Sequence, residues 1–194
     1  CPRGDLGGRE AFLMVTLVWL GIALVGAVPF VVAGDGTIAH PVNALFESMS
    51  GITTTGATVL VDFEVHARSV LMWRAVLQWL GGLGILVLAT AVLAALSVGG
   101  AQLMETESQT RSVDKLTPSI GETARLLWGV YVGLTALAVA VLYGLSLAGL
   151  APEMTLFDAV AHAFTSVSTS GFSPRAESLG AFSPAVQWAT IPFM

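Results

Sequence analysis

Three stretches of this chain stay apolar for long enough to cross a bilayer. Phe12 to Ala33 runs 22 residues without a charge, Val70 to Val98 carries one charge near its start (Arg74), and Leu126 to Ala151 carries none. A spanning helix needs about 20 such residues. Between the first two lies a different pattern. Pro41 to Ile52 is a mostly apolar segment of 12 residues, too short to span, with Pro41 suited to the first turn of a helix. It runs directly into a hydroxyl-rich stretch, Thr53-Thr54-Thr55-Gly56. Pro29 predicts a kink late in the first helix, and Gly34-Asp35-Gly36 a turn. Residues 1–11 read as an exposed end, and Val61 to Ser69, with Asp62, Glu64, His66 and Arg68, as a polar loop.

A half-length helix followed by an irregular Thr/Gly strand has few physical justifications at membrane depth. Each unpaired backbone carbonyl costs several kcal/mol in lipid, so the strand must be buried in protein or line a wet cavity. A cation pathway turns those carbonyls into ligands. The pattern also occurs twice. At an offset of 115 residues Gly56 falls on Gly171, Thr54 on Thr169 and Ala44 on Ala159. Hydroxyls coincide at Ser50/Thr165, Thr53/Ser168, Thr55/Ser170 and Thr58/Ser173, and Trp73 falls on Trp188. The repeat predicted is helix, re-entrant pore loop, helix: residues 1–98, then a connector over 99–125, then a second copy over 126–194. The connector holds Glu105, Glu107, Arg111, Asp114, Lys115, Glu122 and Arg125 and is read as water-exposed. By the same offset the second copy of the 70–98 helix runs past Met194, so the expectation is an internal piece of a longer protein. A re-entrant loop does not cross, so each repeat returns the chain to its starting side and the two copies are parallel.

Composition narrows the class. The chain is 55% hydrophobic and 11% charged, with mean hydropathy +0.80; a soluble domain carries about 25% charged residues. The single cysteine, Cys1, excludes a disulfide framework and a thiolate cluster, and a net charge of −5 gives no footprint for nucleic acid. Arg3, Arg9, Arg111, Lys115 and Arg125 fall on one side of the bilayer, and Arg68, Arg74 and Arg175 on the other. The bias favours a cytoplasmic N-terminus and connector, with both half-helices on the outer side.

Other residues invite plainer assignments. Gly81, Gly82 and Gly84 are read as helix-packing positions. Arg74 is expected to snorkel to the outer interface. Glu47 and His162 occupy equivalent places in the two half-helices and are read as hydrogen-bonded anchors, with a proton or cation site as the alternative. Thr155 and Asp158 form an N-cap with an acidic third residue, and His40 and His66 are loop residues. Ser168-Thr169-Ser170-Gly171 beside His162 also has the outline of a hydrolase nucleophile loop. The first copy, Thr53-Thr54-Thr55-Gly56 with Glu47, lacks both serine and histidine and argues against it. A secondary transporter of another small solute, with discontinuous helices at the midplane, is the stronger alternative.

ITTTGAT, QWLGGLGILVL, DKLTPSIGETARLLW and FTSVSTSGFSP, in that order, resemble the Trk/Ktr/HKT superfamily of potassium transporters, most closely its bacterial TrkH-type membrane subunits. The resemblance spans nearly the whole chain. It implies an all-α, potassium-channel-like membrane protein of four parallel repeats about a pseudo-fourfold axis, of which this chain supplies the first and most of the second. It implies uptake of K⁺ across the bacterial cytoplasmic membrane, passively or as a symport, through a filter of backbone carbonyls. The filter residues are then Thr53, Thr54, Thr55 and Gly56 with Ser168, Thr169, Ser170 and Gly171, and glycine at both 56 and 171 goes with K⁺ over Na⁺. It further implies no cofactor beyond the transported ion, a homodimer in the bilayer, and a cytosolic nucleotide-binding regulatory subunit on the connector side.

Overall fold

The computed structural model describes residues 8–34, 36–61, 63–105 and 120–194. Most of the exposed end, with Arg3, and the middle of the connector, with Glu107, Arg111, Asp114 and Lys115, lie outside the described residues. The described ones are helical with no strand. The elements are α1 (Gly8–Ala33), α2 (Pro41–Ile52), α3 (Arg68–Glu105), α4 (Ile120–Leu147), α5 (Leu156–Val167) and α6 (Pro184–Thr190), with single 3₁₀ turns between some of them. The half-helix α2 has the bounds its pattern predicts. The segment expected as a Thr/Gly strand is instead a turn, with Thr54 and Gly56 both at positive φ, because the backbone closes the end of α2 before it moves on. Helix α1 continues through Pro29 to Ala33, and the connector expected over 99–125 is helical at both ends, as α3 reaches Glu105 and α4 starts at Ile120.

Spans of α1, α3 and α4 are long and apolar enough to cross a membrane. They differ in surroundings: 22% of the α1 and α4 spans is buried, against 50% of the α3 span. Phe12, Leu17, Val25 and Val32 of α1 and Leu126, Trp128 and Leu137 of α4 stand exposed. Continuous apolar surface of that kind is what acyl chains cover. Helix α3 instead packs against α1, α2, α4 and α5 and joins the two halves.

Each half has its own core. Ala27, Phe30, Ala44, Leu71 and Leu77 fill the first, and Ala138, Leu142, Ala159, Ala163 and Val186 the second. The pairs Ala27/Leu142, Ala44/Ala159 and Leu71/Val186 keep the 115-residue offset, so the repeat read in the sequence is a repeat of packing. Glycines let α3 press against the half-helices. A Cβ on Gly81 would overlap the carbonyl oxygen of Ile52 and lie 2.7 Å from its carbon; one on Gly82 would lie 2.7 Å from both the Ser168 Cβ and the Tyr131 hydroxyl. Trp79 fills the seam beside them, stacked on Phe164 at 5.1 Å, donating its indole N–H to Thr135 at 3.0 Å and accepting at its carbonyl from Tyr131 at 2.9 Å.

Candidate functional site: two glycine-ended turns at the ends of the half-helices

Helices α2 and α5 end in the same way. At the first, the N–H groups of Thr53, Thr54 and Thr55 donate to Met49, Gly51 and Ser50; at the second, those of Ser168, Thr169 and Ser170 donate to Phe164, Ser166 and Thr165. This is a Schellman closure, which needs a left-handed residue just past the helix, usually glycine. Here threonine takes that place twice, Thr54 at φ 56° and Thr169 at φ 52°. A β-branched residue in this region costs about 1–3 kcal/mol and persists only where its surroundings over-determine it. The hydroxyls supply part of that constraint: Thr53 and Thr55 lie 2.8 Å apart, as do Ser168 and Ser170.

The chain then turns at Gly56 (φ 75°) and Gly171 (φ 117°). The two turns meet. A Cβ on Gly56 would lie 2.5 Å from the Ser170 carbonyl oxygen and 3.7 Å from the Gly171 Cα. Among the described residues, the carbonyls of 53–56 and 168–171 accept no hydrogen bond. Their N–H partners on the helical side are consumed by the closure; their oxygens are left over. A cluster of uncommitted carbonyls at two helix C-termini, each carrying a partial negative charge of about half a unit, attracts a cation.

Behind the turns lie the two anchors. In the first half, Glu47 accepts from the Thr58 hydroxyl at 2.8 Å and the Val59 N–H at 3.1 Å. In the second, His162 takes the corresponding place, its Nε2 3.0 Å from the Ser173 hydroxyl and its Nδ1 2.8 Å from the Asp158 carbonyl. The hydroxyl then receives the N–H two residues on, Leu60 in one half and Arg175 in the other, both at 3.0 Å. Both side chains are thus spent on holding the turn, as anchors. Helix α5 begins with a full capping box between Thr155 and Asp158, and Arg175 reaches the Asp158 carboxylate at 2.8 and 3.1 Å. Burial disfavours charge on Asp158, but the hydrogen bonds from Arg175 and Thr155 outweigh it and hold the carboxyl below its usual range. Burial drives His162 below the ordinary histidine value, against the pull of the Asp158 carbonyl and charge, so the ring is neutral near pH 7.

Arg74 corrects an expectation. It does not snorkel outward: it is 1% exposed. Its Nε donates to Glu47 at 2.7 Å, its Nη2 to the Thr58 hydroxyl at 3.0 Å and its Nη1 to the Ser173 carbonyl at 3.1 Å, while its Cζ lies 4.2 Å from the centre of the Phe172 ring. A buried carboxylate nearby outcompetes the interface, because a guanidinium fork can satisfy three acceptors at once. One turn on, Gln78 is fully buried and its Oε1 accepts from the Ser170 hydroxyl and the Phe172 N–H. Sequence reasoning passed over Gln78. The signal was present: Arg74 and Gln78 interrupt an apolar span four residues apart, hence on one helix face.

The hydrolase outline has no geometry behind it. His162 faces Ser173, while Ser170 donates to Gln78 and Ser168 lies against the Ser170 hydroxyl and the Thr165 carbonyl.

Residues 6–194 match the model of the TrkH family, described as a cation transport protein. The chain belongs to the TrkH family. Its members are transporters rather than enzymes. The chain is 42% identical over 194 residues to the Trk system potassium uptake protein TrkH of Vibrio parahaemolyticus, covering 99% of this chain and 38% of that protein. It is 44% identical over 181 residues to the protein of the same name in Escherichia coli K12, covering 93% and 36%. The crystal structure of the potassium transporter TrkH from Vibrio parahaemolyticus superposes with a TM-score of 0.75 at 37% identity, covering 98% of this chain and 36% of that one. The chain therefore spans little more than a third of the relatives it matches. The family match runs through both turns and all of α3, so the paired turns and the Arg74 cluster are part of what the TrkH model covers.

Proposed function

We propose that this chain contributes the first two walls of a potassium-selective pore in the cytoplasmic membrane of a bacterium. Helices α2 and α5 enter the bilayer from outside and turn back, and their closing segments form half of a filter about a pseudo-fourfold axis. Thr53, Thr54, Thr55 and Gly56 with Ser168, Thr169, Ser170 and Gly171 provide carbonyls that replace the hydration shell of K⁺. One observation carries the reading: Gly56 and Gly171 lie against each other at the ends of two half-helices, and the carbonyls around them have no other partner among the described residues. The relatives named as potassium uptake proteins support the choice of ion. Two walls do not enclose an ion, so conduction belongs to the longer protein, which we place as a homodimer whose cytoplasmic side, at the connector, receives a nucleotide-binding regulatory subunit.

The test is K⁺-limited growth of an uptake-deficient bacterial strain carrying the full-length gene, with Gly56→Ser and Gly171→Ser beside the wild type. Both substitutions are expected to abolish growth at low K⁺ or to shift uptake towards Na⁺. Wild-type growth and unchanged ion preference in both variants refute the filter.

A further inference from the structure

We propose that Gln78 is a positioning residue for the second filter turn and sets the preference for K⁺ over Na⁺; the inference rests on the reading of Gly171 as a filter glycine. Gln78 lies on α3, 94 residues before the Phe172 it serves, and is fully buried. Its Oε1 accepts from the Ser170 hydroxyl at 2.6 Å and from the Phe172 N–H at 3.1 Å, one contact on each side of Gly171. The orientation of the amide is dictated, because the Phe172 N–H can only donate and so must face the oxygen. Gln78 Nε2 is left without a partner among the described residues. A buried amide that leaves its own donor unsatisfied in order to present its acceptor is held there for the acceptor.

Peptide geometry turns that contact into a statement about the pore. In a trans peptide the N–H and C=O point in opposite directions, and no peptide of the described chain is cis. Fixing the Phe172 N–H on α3 therefore aims the Gly171 carbonyl away from α3. Glycine at φ 117° cannot fix its own peptide, since it has no Cβ to restrict it. The second contact, to the Ser170 hydroxyl, pins the residue whose carbonyl meets Gly56. One turn earlier on the same face, Arg74 holds the Ser173 carbonyl. Helix α3 of the first repeat thus sets the filter turn of the second at successive points. In the first half α3 reaches only as far as the Thr58 hydroxyl, through Arg74, among the described residues, and the Val59 N–H is held by Glu47 of that half-helix itself. Discrimination between K⁺ and Na⁺ depends on how many carbonyls present themselves and how rigidly, so releasing this one peptide lets the turn contract around the smaller ion.

The experiment uses the full-length protein in proteoliposomes, with rubidium and sodium uptake measured as a ratio. Gln78→Met keeps the length and removes the acceptor; Gln78→Asn keeps the amide but falls short; Gln78→Glu keeps the acceptor oxygen. The Met and Asn variants are expected to lower the Rb⁺/Na⁺ ratio by about tenfold, the factor that about 1.4 kcal/mol represents and within the range for a lost buried hydrogen bond. The Glu variant is expected to stay near the wild type. A general loss of uptake with the ratio unchanged in both Met and Asn overturns the proposal, as does a Glu variant that falls as far as Met. If Gln78→Met does not assemble, the Asn ratio decides alone. Gly171→Ser is measured alongside. If it lowers the ratio while the Gln78 variants do not, only the positioning role fails; if it leaves the ratio unchanged, the filter assignment fails and this inference with it.

Discussion

Removing Arg74 gives the sharpest energetic test of how the two halves are joined. In Arg74→Met the side chain keeps its apolar bulk against Phe172 and loses three donors: those to the Glu47 carboxylate, the Thr58 hydroxyl and the Ser173 carbonyl. Glu47 is fully buried. It retains the Thr58 hydroxyl and the Val59 N–H but no cation. Breaking a buried pair by removing one partner costs about 3–5 kcal/mol, because the remaining charge is left uncompensated. Glu47→Gln on its own strands the guanidinium in the same way. Removing both charges in one protein strands neither, so the double variant is expected to be less destabilised than the sum of the singles by at least about 1.5 kcal/mol. The assay is thermal unfolding of the four proteins of the cycle in detergent, where about 2–4 °C of melting temperature corresponds to 1 kcal/mol for a domain of this size. Arg74→Lys should fall between, since an ammonium keeps the charge but cannot span three acceptors. Additive single effects, or an Arg74→Met protein that melts with the wild type, would refute the claim that this pair is a buried joint.

Two further outcomes follow from the packing and the titrating groups. Gly81→Ala places a methyl onto the Ile52 carbonyl, which is backbone and cannot rotate aside. Overpacking of this kind costs about 1–3 kcal/mol, and because Ile52 is the last residue of α2 the first turn must shift; lower melting temperature together with reduced rubidium uptake is expected, and full uptake at wild-type stability would contradict the packing. His162 is held below its unfolded value by burial. The unfolded chain therefore binds a proton first as pH falls, so stability from this group is full above about pH 6.5 and declines below it. His162→Gln should flatten that decline in melting temperature between about pH 6.5 and 5, and an unchanged slope would show that another group is responsible.

Much of this molecule was written in local pattern. Apolar runs of spanning length, a half-length helix opened by Pro41, and a hydroxyl-rich stretch ending in glycine each reflect a requirement that acts within one segment. The offset from Gly56 to Gly171 made the repeat legible because equivalent positions in two parallel copies face the same surroundings. The capping box of Thr155 and Asp158 is likewise local, closed within one turn. Contacts between segments were a different matter. Nothing in its neighbours told Arg74 to turn inward, since the choice between the interface and Glu47 depends on how close a carboxylate lies in space. Thr54 and Thr169 take a left-handed conformation that their own side chains disfavour, so only the surrounding hydrogen bonds decide it. Gln78 finds Phe172 across 94 positions of chain. Hydrophobic periodicity and caps are properties of a segment, whereas the partner of a buried polar group is a property of the assembled fold, and at the two turns that partner is what tertiary structure alone supplied.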